Sequence, residues 1–503
     1  MPYIHISDVT FAYEGQETPL FDHISLQIDT RWKLGLTGRN GRGKTTLLRL
    51  MCGELSYTGS IRSDCIIRRF PPQVTDPAWL TWDVLEECAA GIPGWQIQRE
   101  CTRLGITEEM LYRPFETLSG GEQTRALLAV SFLQEDCFLL LDEPTGHLDG
   151  QARQLVAEFL ARQKGFLLVS HDRALLDGCV DHMLGLNRSS MTLQKGNFST
   201  WWETMEQKQA RELEENQKLR REIDRLAEAS RRTANWSDKV EQTKNGTRIG
   251  GLRPDKGHIG HKAEKMMRRS KSIAARQEAA MEQKAALLHD VETMDALKLP
   301  QLPCRGTWLV GLHQVQITYD PSHPVCHPVQ LTLEPGEQLA LCGANGCGKS
   351  SLLRLICGEE VPHTGDVYRQ SGLQISYAGQ DPSHLKGSIA AYAETLGADQ
   401  SLLKTILRKL GFERWQLETD MDFLSMGQKK KVLLAGSLCT PAHVFVWDEP
   451  LGFLDVFSRI QLEQLLLQAK PTLLFVEHDA MFTERIAARC VEITATEEDK
   501  CKT

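Results

Sequence analysis

Gly38, Asn40, Gly41 and Gly43 lead into Lys44, Thr45 and Thr46 in one short run. The same pattern returns as Gly343, Asn345, Gly346 and Gly348 before Lys349, Ser350 and Ser351. Closely spaced glycines let backbone N–H groups converge on phosphate oxygens at the start of a helix, where unpaired amides favour an anion. Lys44 and Lys349 are expected to neutralise the β- and γ-phosphates of ATP, and Thr45 and Ser350 to ligate Mg2+. Each run follows an apolar strand (33–37 and 338–342) and precedes a leucine-rich helix, the context this loop requires. One match would be no more than a glycine-rich turn; two, each with an acidic strand end downstream, exclude that.

Those acidic ends are Asp142-Glu143 and Asp448-Glu449, each closing an apolar run. Asp142 and Asp448 suit the Mg2+ shell. Glu143 and Glu449 are placed to accept a proton from the attacking water or to orient it. His171 and His478 each follow a further apolar strand and are expected to contact the γ-phosphate. Gln73 and Gln380 fit a residue that positions water or Mg2+. Tyr13 and Tyr319, about thirty residues ahead of the lysines, are assigned to stacking on adenine.

The elements that must hold these groups form an internal repeat. Matching residues are offset by 305 (Lys44 to Lys349), 306 (Asp142 to Asp448) and 307 (His171 to His478). A constant offset through several motifs marks two homologous α/β domains, 1–202 and 305–503. The joining segment, 203–304, has no Gly or Pro from 203 to 245 or from 261 to 299, with breakers clustered between. That reads as helix, loop, helix. Leu219, Ile223 and Leu226, and likewise Met281, Ala285 and Leu288, step as a coiled-coil seam. Two such helices would make an antiparallel hairpin roughly 60 Å long, whose loop, at about 236–262, must project from the body.

Charge is distributed unevenly. The chain of 503 residues has a formal net charge of −8, yet residues 231–276 hold 13 Lys/Arg against 4 Asp/Glu, leaving the remainder at −17. A basic tip on an acidic body suggests nucleic-acid phosphate as its partner. Lys239, Lys244, Arg248, Arg253 and Lys256 are candidate RNA contacts, with Trp236 and His258 available for base stacking. The longest apolar runs are strand-sized, so no membrane span is expected. The first residues lack the features of a signal peptide. Fourteen cysteines are scattered without a Cys-x-x-Cys pair, which argues against zinc and for reduced thiols in a cytoplasmic protein.

Leu118-Ser-Gly-Gly-Glu-Gln123 matches the signature of ATP-binding-cassette domains, and both halves resemble that superfamily. The resemblance implies a head-to-tail sandwich within one chain, making a monomer with paired cassettes. Lys44, Asp142 and Glu143 would share one site with Ser425, Met426 and Gly427. Lys349, Asp448 and Glu449 would share the other with Ser119, Gly120 and Gly121. Met426 replaces a glycine of the pattern, so the two sites are expected to be unequal; Gly146 and Gly452 stand where an asparagine is usual, which changes the expected D-loop contacts but not ATP binding.

Twin cassettes joined by a helical linker resemble the ABC-F group. The stretches Gln27–Gly35, Asn235–Ser237, Lys265–Lys271, Leu424–Lys431 and Trp447–Leu451 are similar to its antibiotic-resistance branch of Lsa and Vga type. This resemblance implies an ATP hydrolase that binds the bacterial 70S ribosome in its ATP-bound form. The linker would reach toward the peptidyl-transferase centre, touching large-subunit rRNA and P-site tRNA, and protect against lincosamides, streptogramin A and pleuromutilins. Neither membrane nor DNA is an expected partner. A housekeeping translation factor of the same group, the ATPase subunit of a transporter and a DNA-repair ATPase with a coiled coil are the rivals.

Overall fold

The computed structural model describes residues 2–13, 19–134, 136–146, 148–186, 191–208, scattered positions up to 225, 300–304, 306–319 and 324–496. The chain divides into two units, one of Met1–Trp201 with Met294–Thr503 and one of Trp202–Thr293. Both repeats therefore lie in the first unit. The expected second hairpin helix, the basic loop and the candidates Trp236, Lys239, Lys244, Arg248, Arg253, Lys256 and His258 lie outside the described residues.

The first repeat runs β1 (Tyr3–Phe11), β2 (Phe21–Asp29), β3 (Lys33–Gly38), β4 (Thr58–Ser63), β5 (Ile66–Phe70), β6 (Cys137–Asp142), β7 (Phe166–Val169), β8 (His182–Leu186) and β9 (Met191–Lys195). β2-β1-β4 form an antiparallel sheet, and β5-β6-β7-β3-β8-β9 a mainly parallel one. The strands β6 and β7 read Cys-Phe-Leu-Leu-Leu-Asp and Phe-Leu-Leu-Val because a parallel sheet covered on both faces buries all but the two end side chains of β6. Leu34, Leu36, Leu140, Leu167 and Leu184 join Leu47 and Leu48 of the helix Lys44–Met51 in one core. Truncating any of them to Ala would cost about 2–5 kcal/mol.

The second repeat follows with β10 (Val310–Ile317), β11 (Val329–Leu333), β12 (Gln338–Cys342), β13 (His363–Arg369), β14 (Ile375–Ala378), β15 (Val444–Asp448), β16 (Leu473–Val476) and β17 (Arg489–Glu492). Its sheets are β11-β10-β13 and β14-β15-β16-β12-β17. In both repeats the glycine-rich loop leaves the carboxyl end of a central strand, with one strand between it and the strand that ends in the Asp-Glu pair, and open parallel sheets bind ligands at such carboxyl ends. A smaller helical layer carries the Leu-Ser motifs: the helices Gly120–Ser131 and Met426–Cys439 start at Ser119 and Ser425. Each serine caps its helix in a capping box, with Glu122 or Gln428 closing the reciprocal bond.

Candidate functional site

Gly43 shows why the phosphate loop needs glycine. Its φ is 91°, and a Cβ there would stand 2.8 Å from the Phe21 ring. The loop folds back over Lys44, whose Nζ donates to the carbonyls of Gly38 (2.7 Å) and Arg39 (3.4 Å) and to Asn40 Oδ1 (3.3 Å). Burial pulls the Lys44 ammonium below its ordinary pKa, while Asp455, Glu143 and Asp142 pull the other way. Thr45 Oγ1 donates to Asp142 Oδ2 at 3.0 Å, uniting the hydroxyl and carboxylate expected at the metal. Tyr13 lies within reach of the same helix, its hydroxyl 2.8 Å from Thr46 Oγ1.

Glu143 is held at φ 48°, in the left-handed region that a glutamate enters only at a cost, and Glu449 repeats this at φ 47°. Each amide is fixed by the neighbouring strand, Glu143 N donating to Val169 O and Glu449 N to Val476 O. The His171 amide donates to Glu143 Oε2 at 3.4 Å, and its Nε2 lies 3.4 Å from Oε1. Glu143 keeps 38% of its side-chain surface, but protein from both repeats surrounds its carboxyl group. Burial raises that carboxyl to about 7. His171 is driven well below the ordinary histidine value, first by burial and then by Lys44 and Arg459. The neutral ring keeps Nδ1 buried without a hydrogen-bond partner.

The second repeat builds the same frame with different electrostatics. Lys349 Nζ donates to Gly343 O (2.9 Å) and Ala344 O (2.7 Å), and Tyr319 reaches Ser351 Oγ at 2.8 Å. Ser350 donates to the Asp448 carboxyl, whose Oδ1 is buried and has no hydrogen-bond partner. Burial pushes Asp448 upward, whereas the bond from His478 holds Glu449 below its usual range, helped by Gln380. Gln380 therefore touches the candidate catalytic carboxylate, while Gln73 sits exposed in the loop after β5. Lys430 is completely buried and donates to the carbonyls of Gly379 (2.8 Å), Gln380 (3.2 Å) and Asp448 (3.1 Å). Burial lowers its ammonium to about 8. Hydropathy reads the run Lys429-Lys430-Lys431 as solvent-exposed, so no sequence signal pointed to this strut.

The two repeats meet at the first glycine-rich loop. The Asn40 amide donates to Asp455 Oδ2 (3.3 Å) and its side chain to Phe453 O (3.0 Å). Arg39 lies over the Phe457 ring at 5.8 Å. A Cβ on Gly427 would come within 2.7 Å of Phe453 O and 3.3 Å of Asn40 Nδ2, so the second Leu-Ser motif closes on this loop. Met426, beside Gly427, is 38% exposed. Asp455 caps the helix Val456–Ala469 and also accepts from Lys431 Nζ at 3.2 Å. Against burial, Lys431, the Ser458 amide and Lys44 hold its carboxyl well below the usual range. The second repeat thus borders the first repeat's glycine-rich loop. His147 lies outside the described residues.

The donors present at each centre, hydroxyl and carboxylate oxygens with one buried oxygen unpartnered at Asp448, are the hard ligands a divalent cation such as Mg2+ takes. Among the described residues no helix is long and apolar enough to cross a membrane, and the described cysteines are all free thiols.

The family model described as ABC transporter matches residues 21–146 and 326–452. The ribosome protection protein VmlR of Bacillus subtilis (strain 168) is 28% identical over 481 residues, covering 94% of this chain and 84% of VmlR. The ATP-binding protein Uup of Caulobacter vibrioides is 29% identical over 512 residues, covering 98% of this chain and 77% of Uup. Among solved structures, the archaeal ribosome recycling factor aABCE1, in complex with the stalk protein aP1, aligns with a TM-score of 0.62 at 18% identity. That alignment covers 97% of this chain and 89% of aABCE1. It is a likeness of fold.

Proposed function

Because the chain belongs to the ABC transporter family, whose ATP-binding cassette it carries twice, we propose that it acts on the bacterial ribosome as an ABC-F protein of the antibiotic-resistance type. It binds and hydrolyses ATP, the reaction of the cassette. What the ATP accomplishes is read from the cross-cassette contacts. Asn40 of the first cassette is bonded to Phe453 and Asp455 of the second. A nucleotide held at Lys44 therefore favours the closed pairing, and its loss favours opening.

In each cassette the loop amides and Lys44 or Lys349 bind the phosphates. Thr45 with Asp142, and Ser350 with Asp448, would hold Mg2+, which when bound supplies positive charge to the β- and γ-phosphate oxygens. Glu143 and Glu449 orient the water and take its proton. His171 and His478 hold those carboxylates and face the γ-phosphate. Tyr13 and Tyr319 stack on adenine. Ser425 with Gly427, and Ser119 with Gly120 and Gly121, close on the opposite nucleotide.

The closed form engages the 70S ribosome, and the basic segment between the cassettes contacts large-subunit rRNA and P-site tRNA so that a bound drug leaves. Hydrolysis reopens the cassettes and releases the protein. The observation that carries the ribosomal part is similarity to a ribosome protection protein across 94% of the chain. The +9 segment supports it, since a phosphate-rich partner suits that charge.

The test changes Glu143 and Glu449 to Gln together, adds ATP and sediments the protein with 70S ribosomes or bare DNA. Trapping on ribosomes is expected; indifference to ribosomes overturns the reading. Replacing residues 244–258 with a short Gly-Ser turn should abolish protection from lincomycin and tiamulin in a sensitive bacterium while basal ATPase persists. A gene that confers no protection, though its product binds ribosomes, would indicate a housekeeping translation factor instead.

A further inference from the structure

The two metal-side carboxylates sit in matched frames whose charged neighbours differ: Arg69 meets the Asp142 carboxylate, whereas Lys430 donates to the Asp448 backbone carbonyl and not to its carboxylate. In the first cassette Arg69 of β5 pairs with Leu140 of β6, two residues before Asp142. In the second, Tyr377 of β14 pairs with Val446 of β15, two residues before Asp448. The register is the same, and the charge differs. Arg69 Nη2 lies 3.4 Å from Asp142 Oδ2, the oxygen that also accepts from Thr45. Asp448 instead has a buried Oδ1 without a hydrogen-bond partner and the neutral phenol of Tyr377 as neighbour.

Arg69 also has a second place to rest. Its Nη1 is 3.7 Å from Glu54 Oε2, which accepts from Arg49 Nε at 3.1 Å. The second cassette repeats the Arg49–Glu54 pair as Arg354–Glu359 at 2.6 Å, and at the position of Arg69 it has Tyr377. The guanidinium is thus an added element on a shared scaffold. It bears a permanent charge, so it competes with any cation for Asp142 at every physiological pH.

We propose that Arg69 is a resident counter-cation of the first ATP site, lowering that site's affinity for a divalent metal so that, at limiting metal, the second site loads first. At Asp142 the oxygen that accepts from Thr45 is already shared with Arg69, so a metal there competes with the guanidinium, whereas Asp448 Oδ1 has no hydrogen-bond partner. The inference rests on the reading of Asp142 and Asp448 as metal-side carboxylates, and the experiment separates the two.

Mn2+ binding to the full chain is measured by the loss of its free electron-paramagnetic-resonance signal at saturating non-hydrolysable ATP. Asp448→Asn leaves the first site to report, and Asp142→Asn the second. The first site should bind Mn2+ about tenfold more weakly than the second, and Arg69→Met in the Asp448→Asn chain should remove about that factor. Tyr377→Arg in the Asp142→Asn chain should weaken the second site comparably. Arg69→Gln serves if the Met variant does not fold. If neither Asp variant loses an ion, the metal-ligand reading itself fails. If each loses one and the Arg69 variants leave the first-site constant unchanged, the counter-cation proposal alone is overturned.

Discussion

Arg173 and Glu463 meet across the cassette boundary, Nη2 to Oε2, at 2.7 Å, with side-chain exposures of 4% and 2%. Arg173 opens the helix that Asp172 caps, directly after His171. Glu463 lies in the helix that Asp455 caps. Its other oxygen takes Arg485 at 2.7 Å. The positions matched by the repeat are Ala157, Ala480 and Gly178, which cannot form this joint. One buried charge cluster therefore links the histidine of the first site to the second cassette.

Removing its acid strands the buried Arg173 guanidinium, while the half-exposed Arg485 stays solvated. Glu463→Ala should destabilise the protein by about 3–5 kcal/mol, whereas Arg173→Met with Glu463→Leu should restore much of that, because a matched apolar pair avoids the desolvation penalty. Thermal unfolding of the single and double variants checks the order.

Gly427 and Met426 are adjacent but unequal. Gly427→Ala places a methyl group against Phe453 O and should cost about 1–3 kcal/mol of closure. Met426→Gly removes a partly exposed side chain, creates no clash, and should change ATP affinity little. ATP titrations followed by tryptophan fluorescence distinguish them.

The raised Glu143 carboxyl makes the nucleotide-free protein sensitive to pH. Its ordinary value is 4.5 and its folded value about 7, so the folded state holds the proton more tightly across that interval. The resulting stability is complete below the ordinary value and fades as pH rises through the folded one. Glu143→Gln keeps a neutral group at all pH, so its melting-temperature advantage over the unaltered chain should grow from pH 5 to pH 8. Glu449, held low by His478, contributes in the opposite sense: its stability is present at neutral pH and lost in acid. A Glu143→Gln advantage that does not change with pH would contradict the assignment.

The two phosphate loops should be separable. Lys44→Ala and Lys349→Ala should each lower the ATP bound per chain from two to one in equilibrium dialysis, and the double variant should bind none. Lys44→Ala should weaken cassette pairing more than Lys349→Ala, since Asn40 of the same loop carries the contacts to Asp455 and Phe453.

The chain's local chemistry was readable before any fold was known. Glycine-rich loops, Asp-Glu strand ends and histidines act through short contiguous runs, and their repetition at an offset of 305–307 residues exposed the two cassettes. The apolar runs gave β3, β6, β12 and β16 because parallel strands buried on both faces leave no polar alternation.

Tertiary structure alone decided which residues became neighbours. The strand order β5-β6-β7-β3 put Arg69 beside Asp142, and packing buried Lys430 in a run that looks solvated. The turn after each Asp forced Glu143 and Glu449 to positive φ. Asn40 and Asp455, 415 residues apart, were brought to one hydrogen bond. A motif encodes what its own atoms can do, whereas the charge and solvent around it come from distant segments, and their arrival is settled by the packing of the whole chain.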